Sequence, residues 1–161
     1  MRTFTDTAGR SWNVELNTTA VKNVRTLLGV NLMSVLDDNC KLLAQLYDDP
    51  VLLVDVLYCV CREQAQKLDV SDEDFGRAMA GDAIEHAAVA LTEELADFFR
   101  TARQRAMMRD ILTKTRTLAD RLMDAAEQRL QAVDMEAVAK TAIASFGSSG
   151  ESPASTPDPS P

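Results

Sequence analysis

The pattern of apolar and polar positions begins with alternation and then changes to helical spacing. In residues 2–16, "RTFT" and "SWNVEL" flank the polar loop "DTAGR". Trp12, Val14 and Leu16 alternate with polar neighbours, as a strand with one covered face does. Gly9 can take the positive φ that a tight loop needs, so this segment is a predicted β-hairpin. A lone hairpin is marginal in water and has to lie on helices. Asn17, Thr18 and Thr19 are candidate N-caps for a helix that closes at Leu28 before Gly29, with Val21, Val24, Leu27 and Leu28 as its stripe. "VNLMSVL" (30–36) reads equally as a strand or a helical turn. "DDNCKLLAQLYDD" predicts a short helix with Leu42, Leu43 and Leu46 inside.

Asp49 and Pro50 form a helix start, and the spacing predicts a helix from Pro50 to about Lys67. It contains "VLLVDVLYCV", apolar nearly all round, which marks it as the central helix for the hairpin and the 82–99 helix to pack on. Ser71 followed by Asp72, Glu73 and Asp74 is a cap with three carboxylates where the helix dipole is positive. Phe75, Ala78 and Met79 face inward before Gly81. Asp82 opens a longer helix carrying Ile84, Ala87, Ala88, Leu91, Leu95, Phe98 and Phe99.

From Thr101 to about Ala144 there is neither Gly nor Pro. Met108, Leu112, Ala119, Leu122, Ala126, Leu130, Val133 and Ala137 recur there at steps of mostly three and four, a coiled-coil-like stripe diluted by alanine. A continuous helix of that length spans on the order of 60 Å, more than a body of some 100 residues can cover. From Ser145 the chain turns to Ser, Gly and Pro and ends "TPDPSP", a composition expected to be disordered. The fold class is therefore mainly α: a small N-terminal β-hairpin packed on a helical bundle (1–99), an amphipathic helical arm (100–144) and a Ser/Gly/Pro-rich tail (145–161).

Composition narrows the function classes. The formal net charge is −8, which argues against nucleic acid as the main partner. Residues 1–99 hold 8 basic and 17 acidic side chains, whereas 100–161 hold 9 and 8. An acidic body is thus followed by a basic stretch at 100–121, which has no interleaved aromatics for base stacking. Three cysteines without a secretion signal read as reduced thiols in a cytoplasmic protein. No segment reaches the roughly 20 apolar residues of a spanning helix, so no membrane partner is expected.

The search for chemistry returns no catalytic or cofactor site. Cys59 and Cys61 diverge by about 200° on a helix and cannot grip one ion. Cys40 and His86 do not complete a ligand set, and small buried hydrophobes are the expected role of free cysteines. His86, the single histidine, has no second histidine at zinc-protease spacing. "DVSDEDFGRAMA" fails as a calcium loop because Asp74 stands where the glycine belongs and Ala80 where the closing glutamate belongs. No glycine-rich phosphate loop occurs. No metal, no cofactor and no enzymatic activity are expected.

The layout of "MRTFTDTAGRSWNVELNTTAVKNVRTLLGVNLMSVL", "LYDDPVLLVDVLYCVC" and "VSDEDFGRAMAGDAIEHAAVALTEELADFF" resembles small tail assembly chaperones of long-tailed phages and prophage-like elements, over roughly residues 1–99. The resemblance implies a non-enzymatic, mostly helical, self-associating protein of the host cytoplasm. Its partners would be the tape-measure protein, which it coats, and the tail-tube subunits that later polymerise around that helix. It also implies absence from the mature virion and, in many members, a longer frameshifted form. Candidate partner-binding residues are Leu91, Leu95, Phe98, Met108, Leu112, Leu122 and Leu130, with Val54, Leu57, Tyr58 and Ala119 beside them. The rival expectation is a structural virion protein, a tail or head–tail component whose arm contacts neighbouring subunits.

Overall fold

The computed structural model describes residues 1–131 together with 140 and 143. The end of the expected arm and the expected tail, 145–161, lie outside the described residues. Two compact units are present, Met1–Lys114 and Thr115–Pro161. The first holds the hairpin and the helices that cover it.

Strands β1 (Arg2–Thr5) and β2 (Ser11–Val14) pair antiparallel, Phe4 opposite Trp12. Their turn is organised by a buried carboxylate. Asp6 Oδ1 accepts the Ala8 N–H at 3.0 Å and the Arg10 N–H at 2.9 Å. Its Oδ2 accepts Arg10 Nε at 2.7 Å and the Trp12 indole N–H at 2.8 Å. Four donors on one side chain compensate its loss of water, which an unpaired buried carboxylate could not survive. Gly9, at φ 79, closes the loop. Thr7 donates its N–H and its hydroxyl to the Ala78 carbonyl, at 3.0 and 2.9 Å, pinning the turn to the body.

Helix α1 (Thr18–Leu28) begins where Asn17 accepts the Ala20 N–H and ends at Gly29, φ 70. The ambiguous 30–36 segment resolves as a 3-10 turn at Leu32–Ser34. Asp38, Asn39 and Cys40 follow with positive φ (48, 57 and 60), a left-handed turn in which Asp and Asn are tolerated better than Cys. Helix α2 (Lys41–Asp48) buries Leu43 and Leu46. Helix α3 (Pro50–Val60) is capped by Asp49, which accepts the Val51 and Leu52 N–H groups.

One expected helix is two. The chain bends at Cys61, and α4 (Arg62–Lys67) continues from it. No Gly or Pro marks the bend. It points Gln64 at β2, where the side-chain amide accepts the Asn13 N–H at 2.9 Å and donates to the Ser11 carbonyl at 2.7 Å. The amide thus stands in for a neighbouring strand. Helix α5 (Asp72–Arg77) has the expected Ser71 cap, and α6 (Asp82–Phe98) the expected start after Gly81.

The hairpin's seat differs from expectation. It rests chiefly on α6, with β1 along it, rather than on α3. Helix α3 is flanked instead by α1, α2, α5 and α6. Trp12 turns its ring edge onto Phe75 of α5, with centroids 4.8 Å apart and planes at 80°. Arg2 pairs with Glu93 and Asp97 of α6, each at 3.2 Å. Between α6 and the next helix, Arg105 donates to the Phe99 and Arg100 carbonyls, at 2.8 and 3.1 Å, filling open carbonyls at the helix end.

Helix α7 (Ala102–Gln131) starts from Thr101, which accepts the Gln104 N–H at 3.2 Å and donates to the Gln104 side chain at 2.9 Å. Its first turns belong to the body: Met108 and Leu112 are buried in the same core as Leu91, Leu95 and Phe99. Arg109 pairs with Asp97. The compact unit therefore reaches Lys114, beyond the boundary after Phe99 drawn from the sequence.

Candidate functional site

The structure sorts the sequence-chosen partner residues into two groups. Leu91, Leu95, Met108 and Leu112 are buried in the core, and Phe98 is half-buried against it. Leu57 is also fully buried, while Val54 and Tyr58 are partly covered. A partner could reach the first four only by opening the body. Leu122 and Leu130 are 63% and 77% exposed.

These two leucines belong to a wider apolar surface. Leu118 is 59% and Met123 72% exposed, against roughly full burial for Met108 and Leu112 earlier on the same helix. At about 100° per residue, Leu118, Leu122, Ala126, Ala119, Leu130 and Met123 fall within an arc of about 140°. Asp120, Asp124 and Glu127 lie on the opposite face. Arg129 is the one charge within the arc among residues 115–131. The sequence reading left out Leu118, although it stands four residues before Leu122, the spacing that places two side chains on one face.

The arc offers hydrophobic contact and little else. Burying four large side chains is worth about 1.5 kcal/mol each, on the order of 6 kcal/mol in all. Association costs at least about 4 kcal/mol in lost freedom, so one arc alone holds a partner weakly and reversibly.

Elsewhere the chemistry-bearing residues are dispersed. Cys61 is buried, with its thiol 3.6 Å from the Asn13 carbonyl, and burial pushes its pKa up to about 12. Burial also raises the Cys59 thiol. Neither is a thiolate near neutral pH, so neither is poised as a nucleophile. His86 is exposed on α6. Among the described residues, no three His, Cys, Asp or Glu side chains are grouped so as to hold a metal ion, and no helix is long and apolar enough to cross a membrane.

The Asp6 site was legible only in part. An Asp opening "DTAGR" signals a turn whose carboxylate accepts nearby backbone N–H groups, but the reach to Trp12 follows from the strand pairing. Its role is structural, since every oxygen is taken by the hairpin itself. Set against family models, curated proteins and solved structures, the chain matches none of them.

Proposed function

We propose that the protein is a non-enzymatic tail assembly chaperone of a long-tailed phage, which binds the tape-measure protein in the host cytoplasm and keeps it soluble until tail-tube subunits enclose it. The observation that carries this reading is the uncovered apolar arc of α7, on a helix otherwise rich in charge. A soluble protein rarely leaves such a face open without a partner for it. An amphipathic helix lying against another protein's apolar helix is an established mode of recognition.

The weakness of a single arc suits the task. A holder must release its client when the tube polymerises, and a long client helix can be covered by many copies, each bound loosely. The acidic body, with 17 carboxylates in residues 1–99, keeps such a coated complex dispersed. The resemblance over residues 1–99 supplies the client's identity.

The test is co-expression with a tape-measure protein from the same genome. Wild-type protein should hold the client in the soluble fraction and co-purify with it. Leu122→Gln/Leu130→Gln should leave the body folded and the client insoluble. Purified particles should lack the protein. A fixed stoichiometry in finished virions would refute the chaperone reading and favour the structural virion protein.

A further inference from the structure

A second surface lies on the body. Pro50, Val51 and Val54 of α3, Met79 and Ile84 line an open groove of about 320 Å³, with Asp55 and Asp72 on its rim and Gly76 in its wall. Val51 is 68% exposed there, an unusual place for a valine on the protein's most apolar helix.

Two features of the groove lack an explanation inside the fold. The first is Asp55. It is half-buried on α3, and its side chain makes no hydrogen bond or ion pair among the described residues. Burial, together with the nearby Asp72 and Asp49 charges, holds its carboxyl above the usual carboxylate range. A partly buried carboxylate beside like charges is stabilised by a cation.

The second is Gly76. It sits inside α5, outside the left-handed region, where glycine costs about 1 kcal/mol relative to alanine. Close packing does not demand it, because a Cβ at Gly76 would meet no atom within 4 Å. What the missing side chain leaves is the groove itself.

We propose that this groove is a docking site for a basic amphipathic segment of a protein partner, which lays a lysine or arginine stem on Val51, Val54 and Ile84 and sets its charged head between Asp55 and Asp72. Long cationic side chains combine an apolar stem with a polar tip in just this way. The site takes the opposite charge to its rim, and that complementarity selects the occupant. It is independent of the arc on α7, so each can fail without the other.

The experiment uses the full chain and a fluorescent 18-residue amphipathic peptide of Leu and Lys, with a Leu/Glu peptide as its counterpart. Binding is read by fluorescence anisotropy, and folding by circular dichroism. The Leu/Lys peptide should bind wild-type protein. Gly76→Leu, which adds a side chain to the lining at a position with room for its Cβ, and Asp55→Asn/Asp72→Asn should each weaken it by about tenfold, the scale of a lost charge-assisted contact. Asp37→Asn/Asp38→Asn removes the same charge outside the groove and should change binding by less than about twofold. Absence of Leu/Lys binding, indifference to the groove substitutions, or equal binding of the Leu/Glu peptide overturns the proposal. So does a wild-type mass that rises with concentration and falls in Asp55→Asn/Asp72→Asn, which gives the groove to a second copy.

Discussion

Asp6→Asn isolates what one buried charge does for the hairpin. The aspartate offers two oxygens to four donors: the Ala8 and Arg10 N–H groups on Oδ1, and Arg10 Nε and the Trp12 indole on Oδ2. Asparagine keeps the size but replaces one oxygen with an NH₂ that itself donates. Whichever way the amide turns, two donors lose their acceptor. At about 1.5 kcal/mol for each lost bond to a charged group, the substitution costs roughly 3 kcal/mol. For a unit of this size that lowers Tm by about 12 °C. Urea and thermal melts measure it, and Trp12→Phe completes a double-mutant cycle with an expected coupling of about 1 kcal/mol.

The pH dependence has a defined sign. Burial raises the Asp6 pKa, but the Trp12 and Arg10 bonds outweigh it, leaving the folded value below the ordinary 3.8. A carboxyl with a depressed folded pKa contributes stability above its unfolded pKa and loses it as pH falls through the folded one. The gap between wild type and Asp6→Asn should therefore narrow below that range. A cost under about 0.5 kcal/mol at neutral pH, or strict additivity with Trp12→Phe, would refute the reasoning.

Four further outcomes follow from the same geometry. Leu122→Gln/Leu130→Gln should change stability by less than about 0.5 kcal/mol, whereas Leu95→Ala should cost about 3 kcal/mol, both read from urea melts. Thiol labelling with a disulfide reagent should find the half-exposed Cys40 first and reach the buried Cys61 only as the protein unfolds. Asp55→Asn should raise Tm slightly at pH 7, because the folded pKa is raised and the ionised form is disfavoured; the gain should vanish at low pH, where Asp55 is protonated in both states. Gln64→Ala should cost about 1 kcal/mol and speed hydrogen exchange at the Asn13 amide, whose acceptor it removes.

Local chemistry explains which elements were legible. The Asn17, Asp49 and Ser71 caps and the Gly29 terminus are decided within one helical turn, and each stands where the sequence put it. The hairpin alternation likewise buried Trp12, Val14 and Leu16. What was hidden depends on distant partners. The bend at Cys61 lies in a segment with no breaker and is matched to the β2 edge through Gln64 and the Cys61 thiol. The hairpin's seat on α6 rather than α3, accompanied by ion pairs from Arg2 to Glu93 and Asp97, joins positions about 90 residues apart that no periodicity links. The stripe from Met108 to Leu130 keeps helical spacing on both sides of Lys114, so its division into a buried part and an exposed part was invisible in one dimension.

The Asp97 junction has a consequence for biosynthesis. This carboxylate takes Arg2 from the first strand and Arg109 from α7, joining segments more than 100 positions apart. The hairpin's cover, α6, is itself made only at residues 82–98. At about 5–20 residues per second, Phe4 is made several seconds before α6 exists to receive it. The closing clasp must wait longer still, for Arg109 to emerge. Residues from Thr115 onward are made after Arg109, so the body can close while synthesis continues.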